Sequence, residues 1–160
     1  MSREDKAVEL FSKGYNCAQS VLGVFCEGEG LDRNTALKLA NGFGGGVRCG
    51  EVCGAISGAI MAIGLKYGYY DEGDIRQKAC CNRISYEFME KFIDANGSAL
   101  CRELLGINIR HPDDHNAPAA KIMHKSICPK LVASAVMLLE STMFDASPNA
   151  IKENDAIIGK

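Results

Sequence analysis

Glu51-Val52-Cys53-Gly54-Ala55-Ile56-Ser57-Gly58-Ala59-Ile60-Met61-Ala62-Ile63-Gly64-Leu65-Lys66 decides the fold class. The run is small and apolar, and its weakly polar part, Val52 to Leu65, is 14 residues long. That is short of the roughly 20 residues needed to span a bilayer, and it reads as a buried helix. Gly54, Gly58 and Gly64 would let this helix approach its neighbours closely. Each glycine costs about 1 kcal/mol against alanine in a helix interior, so tight packing has to offset them.

Helical period continues on both sides of this run. Ala7, Leu10, Phe11, Gly14, Cys17, Ala18, Val21, Val24 and Phe25 recur at three-to-four spacing, the mark of an apolar helix face. Gly14-Tyr15-Asn16 divides the segment, with Asn16 able to cap a second helix through Phe25. Asp32 opens a short helix through Ala40. A longer one runs from Asp74 to Asn96 and stops at Gly97, and Ser98 caps a short helix through Leu105, closed by Gly106. Residues 107–117 are the most polar stretch and are assigned to a loop. Pro129 opens a last strong helix, Lys130 to Phe144, and the tail after Pro148 is expected to fray. There is no clear strand pair, internal repeat or low-complexity tract. Residues 1–160 therefore read as one all-α domain, a compact multi-helix bundle with its core at about 4–145 and a C-terminal tail at 148–160.

Composition narrows the function classes. Of 160 residues, 47% are hydrophobic and 24% charged, which excludes a largely disordered chain. A net charge of −2 without a dense Lys/Arg cluster lacks the basic stripe of a nucleic-acid binder. Met1-Ser2-Arg3-Glu4-Asp5-Lys6 carries both signs of charge and no apolar signal-peptide core. The expectation is a cytoplasmic protein with neither a nucleic-acid nor a membrane partner. Against that setting the 8 cysteines stand out, because a reducing compartment does not favour structural disulfides.

Cysteine spacing removes several answers. There is no Cys-x-x-Cys, hence no thioredoxin or rubredoxin-like motif, no haem attachment site and no ferredoxin run. The closest pairs are Cys49-x₃-Cys53 and Cys80-Cys81. Position relative to helix starts is more informative. Cys17 follows the candidate cap Asn16, Cys53 falls in the first turn of the glycine-rich helix, and Cys101 lies three residues after Ser98. Cys128 precedes Pro129 and would itself be a cap. Free amides and the helix dipole favour a thiolate at such places. A dipole contribution of about 0.3–1 kcal/mol lowers a thiol pKa by only about 0.2–0.7 from roughly 8.5. Helix starts alone do not make reactive thiols, and four converging thiolates would repel one another unless a metal or a shared proton neutralised them. Cys26, Cys80 and Cys81 read as small buried hydrophobes.

Two further features invite a site. Gly42-Phe43-Gly44-Gly45-Gly46 is neither a dinucleotide fingerprint nor a P-loop. It reads first as a tight connection, and Gly44, Gly45 and Gly46 are candidates for a backbone nest beside an anion or cluster. His111-x₃-His115, beside Asp113 and Asp114, would complete a zinc set with Cys49 and Cys53. The gap is far longer than a zinc finger's and Pro112 breaks the intervening helix, so a solvated loop is expected there.

Taken together, Gly14-Tyr15-Asn16-Cys17-Ala18-Gln19, Gly42 to Gly46, Glu51 to Gly58, Cys101-Arg102-Glu103-Leu104-Leu105-Gly106 and Cys128-Pro129-Lys130 resemble the C_GCAxxG_C_C family of redox-active proteins over residues 4–142. The family pattern has four cysteines, which correspond to Cys17, Cys53, Cys101 and Cys128. Cys49 is additional to that pattern but close enough to Cys53 to serve as a spare ligand. A more distant similarity is to the domain accompanying the haem region of split-Soret cytochromes, which implies an iron–sulfur cluster. The haem-attachment motif is absent from this chain.

The resulting expectation is a cysteine-based redox protein in which Cys17, Cys53, Cys101 and Cys128 form one site. An iron–sulfur cluster carrying electrons for an unidentified redox partner protein is expected first. One alternative is metal-free thiol–disulfide exchange with Cys53 or Cys17 attacking; another is a zinc or metal-trafficking site. The small residues of the glycine-rich helix, with Met61 and Met89, lead to an expected homodimer.

Overall fold

The computed structural model describes residues 1–146, and the expected tail at 148–160 lies outside them. The described residues form α1 (Arg3–Ser12), α2 (Cys17–Phe25), α3 (Arg33–Ala40), α4 (Gly54–Tyr67), α5 (Ile75–Asn96), α6 (Cys101–Leu105), α7 (Pro118–Ser126) and α8 (Cys128–Asp145). Among them the β-structure amounts to an isolated antiparallel bridge between Val52 and Leu100. The chain is an all-α bundle, as the periodicity indicated.

Polar side chains cap four of the eight α-helices described. Ser2 and Asp5 form a reciprocal capping box at α1, and Asn16 and Gln19 form another at α2. Each box satisfies two of the amides that a helix start leaves without partners. Asp32 accepts from the Thr35 amide at 2.9 Å to open α3, and Asp74 accepts from the Gln77 amide at 3.0 Å to open α5. Gly97 and Gly106 end α5 and α6 in the left-handed region. The Gln19 side chain also donates to the Leu37 carbonyl at 2.9 Å and so ties α2 to α3.

Helix α2 occupies the middle of the bundle, packed on α1, α3, α4 and α8. The α2–α4 crossing is tight because of glycine. A Cβ at Gly58 would stand 2.5 Å from the Ala18 carbonyl oxygen, and one at Gly54 would stand 3.0 Å from that of Phe43. Gly64 differs from expectation: nothing lies within 4 Å of its missing Cβ, so it makes no close approach. Gly54, Ala55, Gly58 and Ala59 are buried inside the protomer, so the small-residue face invoked for pairing is already used internally. On the far side, Phe88 and Phe92 of α5 meet Val132, Val136 and Leu139 of α8 in the fully enclosed core.

α7 is a helix that periodicity did not reveal. It buries only Ala120 fully, and Pro118 fills the first position, where a missing amide is harmless. With α8 it makes a helical run from Pro118 to Met143, long and apolar enough by composition to cross a bilayer. That exceeds the stretch identified in the sequence. Leu131, Val132, Ala135, Val136 and Leu139 are enclosed by the rest of the bundle, as in the core helix of a globular fold.

Candidate functional site

Cys17 is the first residue of α2, Cys53 directly precedes α4, Cys101 is the first residue of α6 and Cys128 is the first residue of α8. All four are buried, and all four line one cavity of about 300 Å³. Arg48, His115 and His124 line it as well, with Phe11, Leu105 and Leu131 as apolar wall. The helix-start positions therefore meet in space, although three details differ from expectation. Cys53 stands at the cap position of α4 and not in its first turn. Cys128 is preceded by Ile127 at the cap position, and Leu100, not Ser98, stands at the cap of α6.

Local hydrogen bonds hold each thiol in place. The Cys53 amide donates to the Ala99 carbonyl at 2.8 Å and the Cys101 amide donates to the Glu51 carbonyl at 2.7 Å. This pair flanks the Val52–Leu100 bridge and sets Cys53 beside Cys101. Arg102 braces the same junction, contacting the Glu51 carboxylate at 2.6 Å and the Gly50 carbonyl at 3.3 Å. Cys17 is fixed by the Asn16 box, and the Asn16 amide group also donates to the Asn41 carbonyl at 2.8 Å. His124 stands one helical turn before Cys128, with Nδ1 3.4 Å from the Cys128 sulfur.

The glycine run wraps around this centre. A Cβ at Gly44 would overlap the Asn16 side chain at 2.6 Å, and one at Gly46 would meet the Glu51 backbone at 2.5 Å and Cys101 at 2.8 Å. Gly45, the member that lines the cavity, faces His115: a Cβ there would be 2.8 Å from the ring. Gly45, Gly46, Val47 and Arg48 all have left-handed φ, of 62°, 62°, 54° and 61°. Such conformations cost about 1–3 kcal/mol for residues other than glycine, so Val47 and Arg48 hold strain beside the site. The Arg48 carbonyl receives His115 Nε2 at 2.9 Å.

Burial and the Cys17–Cys128 contact set the thiol electrostatics. Cys53 is pushed up to about 11 by burial, which outweighs the lowering by the Ala55 and Ile56 amides. Cys101 is pushed up to about 12, by burial first and then by Cys53 and Cys128. Cys17 is raised by its contact with Cys128, then by burial. Cys128 moves the opposite way, down to about 6, because Cys17 and then His124 stabilise its thiolate against the cost of burial. Cys128 is thus the most acidic thiol of the set, and Cys17 and Cys53 are held protonated.

The remaining candidates separate cleanly. The Cys49 thiol donates to the Gly46 carbonyl at 3.4 Å and does not line the cavity. Cys26 is enclosed in the core with its thiol on the Gly23 carbonyl at 3.6 Å, and Cys80 and Cys81 are half-buried on α5. All eight cysteines are free. His111 is exposed, as a solvated loop requires, whereas His115 is buried at the cavity, contrary to that expectation. His124 was missed. His124-x₃-Cys128 is a one-turn helical spacing that carries meaning only once residues 118–126 are known to be helical. Among the described residues no three His, Cys, Asp or Glu side chains are already gathered around a single ion position; the thiols surround the cavity.

A family model matches residues 15–142, that of the putative redox-active protein C_GCAxxG_C_C. The chain belongs to this family. The match supports a redox role and includes all four cavity cysteines. No curated protein and no solved structure matches the chain.

Proposed function

We propose that this protein is an electron carrier that holds an iron–sulfur cluster on Cys17, Cys53, Cys101 and Cys128. The carrying observation is that four buried thiols, each at a helix start, line one cavity. Four thiolates suit iron–sulfur ligation, and an iron–sulfur group supplies one-electron capacity where it is bound. The chain's own contribution is electrostatic and steric. Burial opposes ionisation of Cys53 and Cys101, so a cationic metal centre is the natural compensation for their deprotonation. Arg48 and the amides at the helix starts favour net negative charge in the cavity. Phe11, Leu105 and Leu131 limit access of water. Thiols placed around a cavity, and not around a point, favour a multi-atom group over a lone zinc ion.

The test is anaerobic purification followed by iron and sulfide analysis, visible absorption and electron paramagnetic resonance of the dithionite-reduced protein. Iron and sulfide in near-equal amounts, lost in a Cys17→Ser/Cys128→Ser double variant and kept in Cys80→Ser/Cys81→Ser, is the expected result. Protein that neither retains nor accepts iron and sulfide would sink the proposal.

One observation favours a second reading, the Cys17–Cys128 pair with its depressed Cys128 thiolate. There the Cys128 thiolate attacks a disulfide of a partner protein and expels one partner thiolate. The Cys17 thiolate then attacks the mixed disulfide and expels the second. The partner is reduced to two thiols as Cys17 and Cys128 are oxidised to a disulfide. A Cys17–Cys128 linked peptide in metal-free protein would select this chemistry. Both chemistries need a reducing compartment such as the cytoplasm, the location we propose. The redox partner would be a protein, and self-association as a homodimer is read by light scattering.

A further inference from the structure

His115 brings to the cavity a chemistry that the four thiols leave unused. It lies on the short turn Pro112–Asn116 and is only 8% exposed. Its Nε2 is 2.9 Å from the Arg48 carbonyl oxygen. A carbonyl only accepts, so Nε2 carries the proton, and Nδ1 of the neutral ring is left with a lone pair. Nδ1 is buried and has no hydrogen-bond partner among the described residues. An unpaired buried acceptor costs about 1–3 kcal/mol, a cost that calls for an explanation.

The surroundings are built to keep this ring where it is. The backbone is driven through consecutive left-handed residues to Arg48, and that is the residue whose carbonyl takes the Nε2 proton. Gly45 has no side chain where a Cβ would press on the ring at 2.8 Å. The His124 ring lies nearly parallel, at 17° with centroids 6.2 Å apart, but its Nδ1 is already occupied by the Cys128 sulfur. A histidine with one nitrogen donating to a backbone carbonyl and the other free is the arrangement found in metal-ligating histidines.

We infer that His115 Nδ1 is a nitrogen ligand to the metal centre held by the cavity thiols, making the site a mixed sulfur–nitrogen one. This rests on the iron–sulfur reading above and adds a donor outside the four-cysteine pattern. A neutral imidazole adds a donor to the four thiolates without the negative charge that a further thiolate would add.

The experiment uses the full chain labelled with ¹⁵N-histidine, reconstituted anaerobically with ferrous iron and sulfide and reduced with dithionite. Pulsed electron paramagnetic resonance should show a strongly coupled ¹⁵N nucleus. The chain has 3 histidines, so a His111→Ala/His124→Ala variant retains His115 alone and should keep that coupling. His115→Ala should lose it and release iron to a chelator at least about tenfold faster, since even outer-shell partners of a ligand are worth roughly 10–100-fold in metal affinity. If His115→Ala fails to fold, the wild-type and double-variant spectra still decide. A cluster with no coupled nitrogen overturns the inference about His115 and leaves the iron–sulfur reading standing. Coupling that disappears from a double variant whose cluster signal is retained, or that persists in His115→Ala, also overturns it. Absence of any cluster signal in the wild type overturns both.

Discussion

Replacing His124 with alanine should make the most acidic thiol of the cavity markedly less acidic. Cys128 titrates near 6 against a reference of 9.0, so at pH 7 it is about 90% thiolate where an unperturbed thiol would be about 1%. His124 Nδ1 lies 3.4 Å from its sulfur. A hydrogen bond to a charged group is worth about 1.5–3 kcal/mol, or about 1–2 pH units. In His124→Ala, Cys17 still supports the thiolate, and Cys128 should titrate between about 7 and 8. Its thiolate fraction at pH 7 then falls to between about 50% and 10%. The assay is absorbance at 240 nm against pH on reduced, metal-free protein, with Cys128→Ala subtracted to isolate this thiol from the other seven. A step near pH 6 that survives His124→Ala unchanged, or that is still present in Cys128→Ala, would refute the assignment.

The other cavity thiols make the metal-free fold alkali-sensitive. Cys53 and Cys101 titrate at about 11 and about 12 when folded, against 9.0 as reference, so above pH 9 the unfolded chain loses protons that the folded chain keeps and stability falls toward pH 12. Cys128 acts in the opposite sense, adding stability as pH rises from about 6 to 9; urea midpoints across pH should show both limbs, and Cys53→Ala/Cys101→Ala should flatten the alkaline one. Gly58→Ala places a methyl 2.5 Å from the Ala18 carbonyl and should destabilise by about 1–3 kcal/mol. Gly64→Ala, with open space around it, should stabilise by about 0.5–1 kcal/mol; equal effects of the two in chemical denaturation would contradict the described crossing. Val47→Gly should relieve left-handed strain at a half-exposed position and raise the thermal midpoint of the metal-free protein by the equivalent of about 1 kcal/mol; a lower midpoint would show that the turn is not strained.

Where sequence and structure agree, the signal is local. Asn16, Asp32, Gly97 and Gly106 act through residues within a turn of themselves, so the ends of α2, α3, α5 and α6 could be read directly. The four cavity cysteines were legible for the same reason, since each marks a helix start. What could not be read is set by distant contacts. Whether a helical glycine is pressed depends on what crosses it, which is why Gly58 meets Ala18 and Gly64 meets nothing. His115 looks like a loop residue until Arg48, brought round by the left-handed turn, supplies its carbonyl. His124 is silent without α7, because only a helix brings a residue four places upstream beside Cys128. The direction of each thiol's titration likewise follows from burial and neighbours, and the dipole at a helix start is too weak to overrule them.

The cavity thiols come from four places far apart along the chain, and this couples the site to the order in which the protein is made. A nascent chain that has emerged through α6 carries Cys17, Cys53 and Cys101 but lacks both Cys128 and the helix that presents it. The walls close only when α8 has docked against α1 and α5. A group that binds the folded state alone adds RT ln(1 + [L]/Kd) to its stability, and here that term is withheld until the last described helix is in place. On the proposed iron–sulfur reading, loading would follow translation and seal a finished bundle, and a chain truncated before α8 would offer isolated thiols to oxidation instead of a shared site.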